Sequence, residues 1–431
     1  MAAPAHKPVT KRAVFYIPGY DPIHPRRYRE LYRSESAAQA EISGYGISLS
    51  ARQGGARYGW DVKGLINGAH VDASVDVLVW SDIVRDSMNT SVLATYAQLL
   101  QTAWVYIGTG ALWRLMRLRK GPVIAALYPI GMLLLQLIFA LVVGGLVSAA
   151  VSTWVLEPAM TAVLSLFSQN HVALAFMGAL ALTSVVAWGI FFLVAWRILH
   201  WFKSKDGKLF AYYLMHDYAY GAATRGANTP QLEARMAEFG AAIGEALASD
   251  VDEVLVVGHS SGAHLGVSVL ADLIRQGHAR QDGPALGFLS LGQVVPMVSF
   301  LPNAQRLRAD LAYLSAQERL SWVDVTAPGD GCAFALCDPV SVSGVAPADK
   351  RWPLVFSAAF TQTLSPARWK KLRWRFFRLH FQYLCAFDRP RDYDYFRITA
   401  GALSLAERYA DRPASKSRIE KPVNKFTSMT L

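Results

Sequence analysis

The sequence predicts an α/β protein, a mostly parallel sheet with helices on both faces, interrupted by a two-helix transmembrane hairpin. Three observations carry that prediction. Short apolar runs of strand length alternate with longer amphipathic runs of helix length, the pattern of a layered parallel sheet. Two stretches, 122–151 and 171–196, contain no Asp, Glu, Lys or Arg, and each exceeds the roughly 20 residues that cross a bilayer. The pentapeptide Gly258-His259-Ser260-Ser261-Gly262 follows the apolar run Val254-Leu255-Val256-Val257 and precedes a helix-like stretch from Ala263 to Gln276. The 431 residues are 53% hydrophobic and only 17% charged, which is apolar for a purely soluble chain.

Taken in order, residues 1–12 form a basic N-terminal tail with no apolar segment of the kind a cleavable signal peptide requires, so export of the N-terminus is not expected. The first part of the sheet domain spans 13–90, with strands at Ala13 to Ile17, Gly46 to Leu49 and Val75 to Trp80 and a helix at Tyr28 to Ile42. Residues 91–120 read as an interfacial or lid-like helical segment, since Trp104, Tyr106 and Trp113 punctuate an apolar run that ends in basic residues. The hairpin occupies 121–200. After it the sheet resumes over 209–400, with strands at Glu253 to Val257, Leu286 to Leu291, Leu320 to Val325 and Leu354 to Ala359. Helices are expected at Thr229 to Leu247, Ala263 to Gln276 and Ala304 to Ala316. Residues 411–431 are polar and basic, with two prolines, and read as a disordered tail.

The charge pattern gives the hairpin an orientation. Arg114, Arg117, Arg119 and Lys120 precede the first span and Arg197, Lys203, Lys205 and Lys208 follow the second, whereas the link from Ser152 to Asn170 carries only Glu157. By the bias of basic residues toward the inner leaflet, both flanking halves are expected in the cytoplasm, at an inner or plasma membrane. The net charge of +11 belongs to the same pattern. Basic residues cluster beside apolar spans and along Ser365 to Phe381. There Trp369, Leu372, Phe376 and Leu379 would share one helical face, with Arg368, Lys371, Arg375 and Arg378 beside them. No nucleic-acid signature appears, so the lipid bilayer is the expected partner. Cys332, Cys337 and Cys385 have no metal-site spacing and form an odd set, which argues against disulfides and structural zinc.

A serine between glycines at the end of a strand is the arrangement that lifts a hydroxyl out of the backbone for nucleophilic attack. On these residues the chain resembles the α/β-hydrolase superfamily, in its serine esterase and lipase-like branch. Gly258, His259 and Gly262 look like the elbow around the nucleophile Ser260, and Ala13 to Asp21 is similar to the family's first strand and oxyanion loop, with Pro18-Gly19-Tyr20 in place of a His-Gly pair. The resemblance implies the order serine, acid, histidine. After His278 the only histidine is His380, which makes it the expected base. The acid candidates are Asp330, on a Pro-Gly turn after a strand, then Asp338, then Asp324 within the strand. The amides of Ser261 and of Gly19 or Tyr20 would hold the oxyanion.

The expected activity is therefore a membrane-anchored serine hydrolase, a carboxylic ester hydrolase acting on a lipid or other hydrophobic ester through an acyl-enzyme on Ser260. No organic cofactor and no metal are expected to take part. The same residues would serve an acyltransferase, and the fold would also serve a non-catalytic membrane scaffold.

Overall fold

The computed structural model describes residues 8–52, 57–166 and 172–430. They divide into two compact units, one within Met1–Asn89, Gln101–Ala125 and Tyr220–Leu431, the other within Thr90–Leu100 and Ala126–Ala219.

The first unit is α/β. Its strands are β1 (Lys11–Ile17), β2 (Gly46–Ala51), β3 (Gly59–Ile66), β4 (Ala69–Val77), β5 (Glu253–His259), β6 (Ala285–Leu291), β7 (Ser321–Thr326) and β8 (Leu354–Ser357). They form one mixed sheet in the order β2-β3-β4-β1-β5-β6-β7-β8. β3 pairs antiparallel with both neighbours, and every other pairing is parallel. The central strands are covered on both faces, which is why β5 is buried along its whole length and reads as an unbroken apolar run. One face carries Tyr16, Val257, Leu289, Val325 and Phe356 into a core closed by Tyr383, Tyr393 and Phe396. At the opposite end of the strands from Ser260, the buried Arg12 pairs with Glu253 and donates to the carbonyls of Gly401 and Leu403. Glu253 also accepts from the Leu405 amide, so the buried charges are compensated rather than stranded.

Three expectations change here. The sheet contains β3, and Val75 to Trp80 is not one strand: β4 is Ala69–Val77, after which the chain leaves the sheet and the Trp80 indole donates to the Pro18 carbonyl. Asn67 and Gly68, both left-handed, make the tight turn joining β3 to β4. Ser365 to Phe381 is not one helix but two short ones, Pro366–Leu372 and Phe376–His380, because Arg375 leaves helical geometry between them. The tail beyond 410 is not loose: Ser415 donates to Val355, Ile419 to Leu336, and Asp338 back to Ile419, a run of main-chain bonds that ties it across the 336–355 region. Leu431 lies outside the described residues.

The second unit is helical. The helix Lys120–Val151 runs through a π turn, Ser152–Leu156, into Glu157–Leu164, and Val172–Ser204 returns. Both are long and apolar enough to cross a membrane. The link expected from 152 to 170 is helical as far as Leu164, while His171, where the second span was expected to begin, lies outside the described residues. Gly144 lets the helices meet, since a Cβ there would stand 2.9 Å from the Phe191 carbonyl, and Ser148 Oγ donates to the Ala187 carbonyl nearby at 2.7 Å. Leu135, Ile138, Leu182, Val185 and Phe192 face outward. In an aqueous protein so many exposed apolar side chains would be costly. The expected segment 91–120 consists of the helices Val92–Gly108 and Ala111–Leu118.

Candidate active site

The site stands at the carboxyl ends of β5 and β7, where parallel strands leave their terminal groups facing one crevice. Ser260 follows β5 directly and has a left-handed backbone, φ 56°, which costs a non-glycine residue on the order of 1 kcal/mol or more. Its N–H donates to the Leu291 carbonyl at 2.9 Å, so the turn is held from β6. Helix Gly262–Arg275 then starts at once. Only glycine fits at 262, where a Cβ would lie 2.1 Å from the Ile17 carbonyl oxygen. The β1 loop passes equally close: a Cβ on Gly19 would meet Ser260 Cβ at 2.9 Å and Oγ at 3.4 Å. Among the described residues, neither the Gly19 nor the Ser261 amide has an intramolecular acceptor. Tyr20 is fixed by its hydroxyl on Ser87 Oγ, 2.6 Å away, and by its ring against Trp80.

His380 and Asp330, fifty residues apart, meet at 2.7 Å between Nδ1 and Oδ2. Asp330 sits on the turn after β7 and is almost completely buried. Its second oxygen accepts from the Cys332 amide at 2.9 Å, and the Tyr383 hydroxyl donates to Oδ2 at 3.0 Å. Burial by itself pushes this carboxyl up, but the opposing charge and hydrogen bond of His380, with the Cys332 and Tyr383 donors, hold it below the usual carboxylate range. An ionised Asp330 fixes the proton on Nδ1 and leaves Nε2 as the free acceptor.

Ser260 and His380 approach the same stretch of main chain. Ser260 is bonded to Leu291, and the next residue, Gly292, has φ 54° and a Cβ position only 3.1 Å from His380 Cε1. Among the described residues no hydrogen bond joins the Ser260 hydroxyl to His380. Contacts between a nucleophile and its base are often open in unliganded sites. His259 is buried beside His380, its Nε2 donating to the His380 carbonyl at 3.0 Å and its ring 4.9 Å from the His380 ring. Burial, then repulsion by His380, pushes His259 down to about 3, so it is a neutral support rather than a proton carrier.

The other two aspartates are engaged elsewhere. Asp338 caps the turn Pro339–Val342 through the Val340 and Ser341 amides and pairs with Lys350 at 2.6 Å. Asp324 is fully buried on β7, 2.6 Å from Ser290 Oγ, and burial pushes it up to about 8. Neither contacts His380. Tyr383 and Gly292 are the residues that sequence reasoning missed. Tyr383 lies three positions after His380, the spacing that puts two side chains on one side of a helical turn, and this was the available signal.

The donor atoms of Asp330, Cys332 and His380 lie within 4.8 Å of one another, a set that could take a borderline cation such as zinc. A cation bound at His380 Nδ1 would compete with the proton that Asp330 now holds there. Cys337 and Cys385, both free, have their thiols pushed up, Cys337 to about 12, chiefly by burial, and are inert.

Compared with known proteins, the chain matches no family model, no curated protein and no solved structure. Its chemistry is therefore read from the arrangement of these side chains.

Proposed function

We propose that the chain is a membrane-anchored serine hydrolase of the α/β-hydrolase type, cleaving a lipid or other hydrophobic carboxylic ester through Ser260, His380 and Asp330. The observation that carries this reading is a strained serine, φ 56°, between a parallel strand and a helix, bonded to Leu291, whose neighbour Gly292 lies against His380 of a buried His380–Asp330 pair. His380 Nε2 takes the Ser260 proton as Oγ adds to the ester carbonyl. The amides of Ser261 and Gly19 receive the oxyanion, each worth about 3 kcal/mol. Collapse expels the alcohol with the proton from His380, and water, activated by the same nitrogen, releases the acid. The two long apolar helices and their basic flanks support an anchor at the inner leaflet, with the hydrolase unit and both termini on the cytoplasmic side.

The test is reaction with a fluorophosphonate probe. Wild-type protein is expected to be labelled and Ser260→Ala not; labelling that persists in the alanine variant removes the nucleophile assignment. Acyl transfer to another alcohol or amine would use the same intermediate, and product analysis with added acceptors separates the two.

A further inference from the structure

In the catalytic unit, the segment between the two short helices carries a second feature. Lys370, Lys371, Arg373, Arg375 and Arg378 are all exposed, and among the described residues none forms an ion pair. From Lys350 to Phe387 the sequence contains no Asp or Glu. Amid these cations stand Trp374, 72% exposed, and Phe376, 48% exposed. Arg373 lies over the Trp374 ring, 5.6 Å from its centre. Two exposed aromatics set among five cations without ion pairs form one mixed basic and aromatic patch. By contrast Leu372 and Leu379, on either side, are buried in the main core, so the break is pinned rather than loose.

We infer that residues 370–378 are a docking surface for an anionic lipid bilayer, with Trp374 and Phe376 entering the headgroup layer and the five cations meeting lipid phosphates. Charge complementarity and the two unburied aromatics set among cations, in a chain that also carries two helices long and apolar enough to cross a membrane, favour lipid over a nucleic acid or acidic peptide. The surface also touches the chemistry. Trp369 packs on the turn holding the acid, since a Cβ on Gly329 would stand 2.8 Å from its ring, and Phe376 lies 3.4 Å from the corresponding position on Gly331. Helix Phe376–His380 ends in the base itself. Docking would therefore order both sides of the Asp330–His380 pair. The inference extends the membrane reading above but does not depend on Ser260 being a nucleophile.

The experiment is hydrogen exchange on the full chain in lipid nanodiscs, one set wholly zwitterionic and one with about a third anionic lipid. The expected result is exchange across 370–378 at least about tenfold slower in the anionic discs, the effect falling away in about 0.5 M salt as screening shortens to a few ångströms. The variant Lys370→Gln, Lys371→Gln, Arg375→Gln, Arg378→Gln should lose this protection while keeping the wild-type melting temperature. Exchange that is equal in the two lipids, or slowed only by a polyanion such as heparin added in detergent, overturns the proposal. Fluorophosphonate labelling of the same samples reports on the hydrolase reading separately.

Discussion

Replacing Asp330 by Asn tests the geometry most directly. The asparagine has the same shape and can keep the Cys332 bond of 2.9 Å through its carbonyl oxygen, so the fold should survive. Its amide nitrogen then stands where Oδ2 now accepts from His380 at 2.7 Å and Tyr383 at 3.0 Å. A donor facing Nδ1 favours the tautomer with the proton on Nε2, and that imidazole cannot accept from Ser260. Loss of the orienting carboxylate in a serine triad costs about 10⁴ in rate, so the expected fall in fluorophosphonate labelling is about 10³ to 10⁴, or ~4 to 5.5 kcal/mol of transition-state stabilisation. The assay is the second-order labelling rate of purified protein in detergent, with the melting temperature as the folding control. Asp324→Asn, which removes a carboxyl away from His380, should label at the wild-type rate. A folded Asp330→Asn protein that labels within about threefold of wild type would refute the assignment of the acid.

Other perturbations separate support from chemistry. Tyr383→Phe removes one of three donors to Asp330 and should slow labelling about three- to tenfold, the worth of roughly one hydrogen bond; an unchanged rate would make the contact incidental. Gly292→Ala places a methyl carbon 2.7 Å from the Tyr383 ring and 3.1 Å from His380 Cε1 at a left-handed residue, so melting temperature and labelling should both fall. Asp324, pushed up to about 8 by burial, keeps its proton in the folded chain over a range where the unfolded chain has released it. Stability should therefore decline as pH rises from about 4 to about 8, and Asp324→Asn should flatten that decline and melt higher than wild type at pH 8 by on the order of a few degrees. Chelation by EDTA should leave the labelling rate within about twofold; a loss restored by zinc would recast Asp330, Cys332 and His380 as ligands.

Much of the fold was legible because parallel strands and their helices carry simple periodic signals. The strand ending at Ile17, the one before Ser260 and those of β6, β7 and β8 fall within about two residues of their expected bounds. β3 escaped because Asp61, Lys63 and Leu65 alternate with Trp60, Val62 and Ile66, a half-buried pattern weaker than a buried run. Asn67-Gly68 would have given it away. The carboxylate that meets His380 was legible from the Pro-Gly turn that holds Asp330 beyond β7. The break at Arg375 was not, since Trp369, Leu372, Phe376 and Leu379 keep helical spacing through it. What interrupts the helix is the need to bury Leu372 and Leu379 in one core while His380 turns back to Asp330, a tertiary demand that periodicity cannot register. The ordered tail was missed for a similar reason: its attachment runs through main-chain bonds to Leu336, Val342 and Val355, which composition does not encode.

The sheet order also sets a timetable for synthesis. β1 lies between β4 and β5, yet about 175 residues, including both apolar helices, separate β4 from β5. A ribosome adding about 5–20 residues per second leaves one side of β1, and the buried Arg12 destined for Glu253, waiting for on the order of ten seconds or more. Ser260, Asp330 and His380 all emerge after those helices. The Ser260, Asp330 and His380 arrangement can therefore form only on a chain whose apolar helices have already left the ribosome.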